Sequence, residues 1–311
     1  MKDDFFIIGS TGHSIVNFRL DLIASLKNKF NLTALSQDFN VLTKKKLKKI
    51  NVNYIPYGSN NSFVLKELKS LLNILKILKK KNKVNVLSYT LRANLYVGIA
   101  SMINSQINHF PMITGLGGIF LSKDENFFSF IRYFLFFNFL KISLFKFKTI
   151  IFQNKDDQKF FKGINFLKIR STVVPGSGVN TQNFKITKFP KKITFLMISR
   201  IIKYKGIENF FSVSKEISKT NKNVKFYFVG KSQKSFSLDK FKLNKNKKVL
   251  NIKFLNWKTK INQYYSNCSI YVLPSKREGM SRTILEAMSC GRPIITSNVP
   301  GCKQTVKDGY N

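Results

Sequence analysis

Two glutamates with seven residues between them, Glu278 and Glu286, lie in the segment PSKREGMSRTILEAMSCGRPIITSNVPG (274–301). There an apolar run gives way to a short loop and then to a helical pattern. Carboxylates so placed accept hydrogen bonds from hydroxyl groups, the chemistry of a sugar or ribose ring. A cationic pair, Arg200 and Lys205, follows a second apolar run, ITFLMIS (193–199). Two cations just past a strand end suit a diphosphate, and they neutralise its charge as it departs. The backbone at Gly279, Met280 and Ser281 adds N–H donors and the positive end of a helix dipole. Nearer the N-terminus, Gly12 and His13 sit in GSTGHSIVNFRL (9–20), and Thr114 and Gly115 in ITGLGGIF (113–120). Gly12 permits close backbone approach, and His13 at a strand-to-helix turn is in reach of an acceptor phosphate or hydroxyl.

Each group also has a plain structural reading. Glu286 lies four residues after Arg282, the spacing of a helix-surface ion pair. His13 has the position of an ordinary turn histidine, and the glycines around Gly115 and Gly117 have that of a tight turn. In the helix beginning near Ser281, residues Ile284, Leu285 and Met288 form the packing face. Glu286 is expected off that face, Ser281 is expected as the cap, and Gly291 and Pro293 end the helix.

Short apolar runs must place these groups. Strands are predicted at 4–9, 31–36, 52–57, 84–89, 110–115 and 149–154, with helices at 14–29, 63–82, 92–104 and 126–145. After VPGSG (174–178) and the basic stretch 185–192 the alternation restarts. Strands are predicted there at 193–199, 224–230, 249–255, 269–273 and 293–297, and helices at 206–220, 260–267 and 281–290. Strand–helix alternation of this kind makes parallel sheets from βαβ units. The expected fold is α/β, two Rossmann-like domains facing across a cleft. Their expected bounds are 1–187 and 188–311. The closing GCKQTVKDGYN stops where another element should begin, so a truncated C-terminus is expected.

Composition narrows the partners. The chain carries 54 Lys+Arg against 15 Asp+Glu, a net +39, which favours a polyanionic setting: nucleic acid, an acidic membrane face or phosphorylated substrates. Abundant Lys, Asn, Ile and Phe make compositional drift a competing source of the excess. Lysines are spread along the whole chain and form no recognisable module, which argues against specific nucleic-acid binding. Three widely spaced cysteines without a CxxC point to a reducing compartment. Two histidines and no D-x-D leave no expected metal or other cofactor. The acidic start MKDDFFIIG is unlike a signal peptide. The most apolar stretch, 127–145, is interrupted by Arg132, Asn138 and Lys141. A cytoplasmic protein peripheral to the inner membrane face is expected. Segment 63–83 is a basic amphipathic helix assigned chiefly to packing on the N-terminal sheet. Segment 126–148, with aromatics around much of its circumference, is assigned to contact with an anionic membrane surface.

The 274–301 segment resembles the E-x7-E signature of family 4 glycosyltransferases, whose architecture is GT-B. ISRIIKYKG (198–206) resembles the same family's diphosphate-gripping pattern. SYTLRANLYVGIA, ITGLGGIF, IFQNKDDQKFF and VPGSGVN (from 88, 113, 151 and 174) resemble its capsule, O-antigen and lipid-linked oligosaccharide subgroup. The resemblance implies that Glu278 contacts the donor hexose, Glu286 the ribose, and Gly279, Met280 and Ser281 the sugar and phosphates. It implies that Arg200 and Lys205 hold the diphosphate and that Trp257 opens the base-binding loop. Gly12 would approach the donor phosphates or the acceptor, and His13, Thr114 and Gly115 would lie on the acceptor side. The implied reaction is metal-free, retaining transfer of a hexose or N-acetylhexosamine from a UDP-sugar to an undecaprenyl-diphosphate-linked glycan, a polyprenyl-diphosphate acceptor. WKTKI departs from the family in lacking an acidic residue often found near that loop. The alternatives are a catalytically impaired sugar-nucleotide-binding remnant and a GT-B sugar-nucleotide epimerase.

Overall fold

The structure, a computed structural model, describes residues 2–58, 63–79, 81–121, 126–144, 146–163, 170–230, 252–256 and 261–310. Trp257 lies outside these residues. The chain divides into two compact units, Met1–Ser177 and Gly178–Asn311.

The N-terminal unit runs β1 (Asp4–Ile8), α1 (Gly12–Leu26), β2 (Asn31–Ser36), α2 (Val41–Lys49), β3 (Asn53–Pro56), α3 (Phe63–Lys79) and β4 (Val84–Tyr89). It continues with α4 (Leu91–Ile103), β5 (Ile107–Ile113), α5 (Gly117–Leu121), α6 (Phe127–Ser143), β6 (Ile150–Phe152), α7 (Lys155–Gly163) and β7 (Ser171–Val173). Its seven strands lie in the order β3-β2-β1-β4-β5-β6-β7 and every pairing is parallel. Strands buried on both faces read as near-continuous apolar runs, and DFFII of β1 divides accordingly. Ile7 packs with Ile15 and Ile23 of α1, while Phe6 and Ile8 pack with Ile74 and Leu78 of α3 and Val97 of α4. Capping fixes the first helices: Thr11 accepts from the Ser14 amide at 3.1 Å, and Asn40 from the Thr43 amide at 2.9 Å.

The C-terminal unit runs β8 (Thr194–Ile198), a 3-10 turn (Lys203–Lys205), α8 (Ile207–Thr220), β9 (Lys225–Gly230), β10 (Ile252–Asn256), α9 (Asn262–Ser266), β11 (Ile270–Leu273), α10 (Arg282–Ser289) and β12 (Ile294–Thr296). The order β10-β9-β8-β11-β12 is again wholly parallel. Its core joins Leu196, Ile198, Phe228, Tyr271, Leu273, and Ile284 from α10.

Several elements differ from the sequence expectation. The lysine-dense α2 was not anticipated, because its only buried anchors are Thr43 and Leu47. Strand β5 starts at Ile107 rather than 110. The units divide after Ser177, earlier than the 187/188 boundary, and side-chain anchoring is the reason. Phe184 joins the second core, and its carbonyl accepts from Ser289 Oγ at 2.6 Å. Arg292 donates to the Thr187 carbonyl at 2.8 Å and stacks over the Phe189 ring at 4.9 Å. The basic stretch is thereby tied to the second unit.

Candidate functional site

In open parallel sheets, ligands bind beyond the carboxyl ends of the strands where the strand order reverses. Strand β8 begins the second sheet, with β9 on one side and β11 on the other, so its reversal lies between β8 and β11. Arg200 leaves the end of β8 and Glu278 lies in the loop leaving β11. Gly206 brings these loops together. Its φ is +69°, and a Cβ there would stand 1.9 Å from the Pro274 carbonyl oxygen, so only glycine lets the backbones approach. The Lys276 amide donates to the Tyr204 carbonyl at 2.9 Å, and Ser275 Oγ donates to the same oxygen at 3.2 Å.

That seam sets Lys205 against Glu278 as an ion pair. The two side chains are only 16% and 14% exposed, so solvent screens them less than a surface pair. The Arg200 side chain is exposed.

The loop after β11 is braced from below. The Glu278 amide donates to the Pro300 carbonyl at 2.9 Å, and the Ser281 amide to the Gly301 carbonyl at 3.1 Å. A Cβ on Gly301 would come within 2.3 Å of the Glu278 oxygen. Gly279 and Ser281 are buried and Met280 is half-buried. This corrects the capping expectation. Ser281 occupies the cap position, but its side chain makes no capping bond and instead meets Thr283 Oγ1 at 3.2 Å. With their amides already committed, Glu278 and Ser281 act as braces.

Glu286 also differs from expectation. It is buried, at 4% exposure, rather than turned away from the packing face. Arg282 Nε donates to its Oε1 at 2.9 Å, and the Tyr265 hydroxyl donates to its Oε2 at 2.9 Å. The Arg282 pairing is the i, i+4 contact that the spacing allows. Tyr265, on α9 and fully buried, gave no sequence signal, because its role appears only when α9 packs beside α10. Burial pushes the Glu286 carboxyl above its ordinary value, opposed by Arg282 and by the Tyr265 hydrogen bond.

The N-terminal sheet has its own reversal, between β1 and β4. Gly12 is buried there, and a Cβ would stand 2.6 Å from the Asp38 carbonyl oxygen. Its amide donates to that oxygen at 3.0 Å. Gly12 is therefore needed for contact with the loop after β2. His13 is exposed, with Asn17 Nδ2 at 2.9 Å from its Nε2. Thr114 and Gly115 leave the end of β5 half-buried, and Gly115 and Gly117 have φ of 115° and 65°, the tight-turn geometry.

Sequence reading missed Thr90, which follows β4 with φ +73° and ψ 141°, a costly conformation for a β-branched residue. Its hydroxyl meets Ser10 Oγ, at the end of β1, at 2.6 Å. Ser14 Oγ lies 3.0 Å from the Tyr89 hydroxyl. Among the described residues, no group of three or more His, Cys, Asp or Glu gathers as metal ligands would.

Two parallel α/β units, each with polar groups at its strand-order reversal, define the class of fold: it is the GT-B architecture of glycosyltransferases. Residues 179–311 match the family Glycosyl transferases group 1. One relative is the N,N'-diacetylbacillosaminyl-diphospho-undecaprenol alpha-1,3-N-acetylgalactosaminyltransferase of Campylobacter jejuni. It is 26% identical over 98% of this chain and 83% of its own length. Another is the capsular polysaccharide biosynthesis glycosyltransferase CapM of Staphylococcus aureus, 27% identical over 78% of this chain and 66% of its own. The UDP-Gal:alpha-D-GlcNAc-diphosphoundecaprenol alpha-1,3-galactosyltransferase of Escherichia coli is 27% identical over 53% of this chain and 46% of its own length. Among solved structures, Anabaena Alr3699/HepE in complex with UDP-glucose superposes with a TM-score of 0.78 at 16% identity, covering 99% of this chain and 84% of that one. TarM gives 0.70 at 13% identity, covering 100% and 88%.

Proposed function

We propose that the protein transfers a hexose or N-acetylhexosamine, with retention of configuration, from a UDP-sugar to an undecaprenyl-diphosphate-linked glycan during surface polysaccharide synthesis. The observation that carries this reading is the Lys205–Glu278 ion pair at the strand-order reversal of the C-terminal sheet. A diphosphate arriving there draws the Lys205 ammonium to itself and frees Glu278 to accept from sugar hydroxyls. Arg200, one loop earlier, adds a second cation against the charge that develops on the leaving UDP. The backbone at Gly279 and Met280 lies beside the same charge, with Ser281 bracing the loop through its amide bond to the Gly301 carbonyl. Glu286, oriented by Arg282 and Tyr265, receives the ribose hydroxyls on its remaining lone pairs. In this scheme the leaving diphosphate helps take the acceptor proton, so no separate protein base and no metal are required.

The acceptor assignment is supported by the activities of the Campylobacter jejuni and Escherichia coli relatives, both named for diphospho-undecaprenol-linked substrates. The UDP-sugar assignment is supported by the name of the Escherichia coli relative. On the acceptor side the reading assigns His13, Thr114 and Gly115, with Gly12 shaping the loop beside them. The protein works at the cytoplasmic face of the membrane, attached peripherally. Among the described residues, no helix is long and apolar enough to cross a membrane.

Thermal-shift measurements with UDP, GDP and their sugars test the donor, followed by transfer onto a polyprenyl-diphosphate glycan. Stabilisation by UDP and a UDP-sugar is the expected outcome. If no nucleotide raises the melting temperature, the reading is wrong.

A further inference from the structure

Helix α6 is apolar on two faces. Its inner face delivers Phe137 and Leu140 to a core shared with Ile113, Ile150 and Phe152. Its outer face leaves Phe127 and Phe128 72% and 82% exposed, with Phe130, Phe134 and Phe139 each more than half exposed. A phenylalanine carries roughly 150–250 Å² of surface. Five of them so exposed reach the patch size, about 300–600 Å², that marks a binding surface on a soluble monomer.

A second helix behaves alike. Helix α3 buries Ser70, Ile74 and Leu78, yet Leu65, Leu68 and Leu72 are each more than half exposed. The same side continues into the exposed lysines Lys69, Lys76 and Lys79. Helix α4 packs against both α3 and α6, so the two stripes belong to one row of helices. The only acidic residue of α3 is Glu67, and its carboxylate is held by Arg92 at 3.1 Å and by the Tyr96 hydroxyl. The row therefore presents apolar side chains beside lysines that no carboxylate of α3 offsets.

We propose that the α3–α4–α6 row is the surface by which the protein lies on an anionic lipid bilayer. The α6 phenylalanines and α3 leucines enter the headgroup boundary, and Lys69, Lys76 and Lys79 pair with lipid phosphates. A symmetric dimer through this face is disfavoured by charge, because a two-fold interface sets the same patch against itself and brings lysines near lysines. This deepens the reading above: a lipid-linked acceptor is then met in the plane where it resides.

Co-sedimentation of the full chain with vesicles tests it, comparing pure phosphatidylcholine with a 70:30 mixture of phosphatidylcholine and phosphatidylglycerol. The wild type is expected to bind the anionic vesicles at least tenfold more strongly, and to lose most of that binding in 0.5 M salt. F128D/F134D is expected to abolish binding to both, with an unchanged melting temperature. K69E/K76E is expected to remove the preference for anionic lipid. Transfer to a short-chain, water-soluble acceptor is expected to be unaffected in both variants, and it reports separately on whether the transferase reading holds. Wild-type protein that ignores anionic vesicles, or F128D/F134D that binds them normally, overturns the proposal. So does a wild-type dimer, measured without lipid, that F128D/F134D converts to monomer.

Discussion

The Lys205 ammonium and the Glu278 carboxylate meet across 73 positions of sequence, one leaving β8 and the other leaving β11. Their pairing follows from strand order, because β11 is hydrogen-bonded directly beside β8. If this pair is the diphosphate and sugar site, Lys205→Ala lowers kcat by at least about 10²-fold, the usual cost of losing one transition-state charge donor. Stability also falls, since Glu278 is left partly buried without its cation. The double variant Lys205→Ala/Glu278→Ala recovers stability but not turnover, a coupling that denaturant melts and steady-state kinetics read together. Wild-type turnover in Lys205→Ala removes the assignment.

Tyr265 donates to the Glu286 carboxylate, and in the proposed reading it positions that group for the ribose. Tyr265→Phe deletes one hydrogen bond to a buried carboxylate, about 1–2 kcal/mol. It is expected to weaken UDP binding roughly threefold to tenfold by titration calorimetry. A purely structural role would lower the melting temperature and leave the UDP Kd untouched.

Thr90 stores backbone strain beside Ser10. Thr90→Ala and Thr90→Gly both lose the Ser10 contact, but only glycine accepts φ +73° freely. Thr90→Gly is therefore expected to be more stable than Thr90→Ala by about 1 kcal/mol in chemical denaturation. Equal stabilities would mean that the conformation carries no strain.

His109 is buried in the N-terminal core, where burial pushes it down to about 3. Ser88 Oγ donates to Asn94 Oδ1 at 2.7 Å, so His109 Nε2, 2.7 Å from the same hydroxyl, must carry the proton and donate. A histidine depressed in the folded state binds a proton in the unfolded chain first. Stability is then lost as pH falls from about 6.5 towards 3. Between pH 7 and pH 5, the wild type should lose about 2 kcal/mol more than His109→Gln does. Parallel pH dependences in the two proteins would show that His109 titrates normally.

Glycine and apolar patterning made most strands legible, since a strand buried on both faces must be apolar nearly throughout. Helices with a clear inward stripe, such as α1, α3 and α8, were legible on the same ground. Helix α2 was not, because two buried side chains suffice to anchor nine residues. The boundary was expected within the basic stretch before β8, because the contacts of Thr187 and Phe189 with Arg292 lie more than a hundred residues away.

Local chemistry singled out the residues proposed to hold a charged sugar nucleotide: two cations after one apolar run, and two carboxylates in and before a later helix. Those types and spacings are properties of short segments, and no partner is needed to recognise them. Tertiary structure alone decided who meets whom. Parallel order put Lys205 on Glu278, the packing of α9 beside α10 gave Glu286 its tyrosine, and a seat over the Asp38 carbonyl explained Gly12. Such contacts depend on long-range strand register and helix packing, which a one-dimensional pattern does not encode.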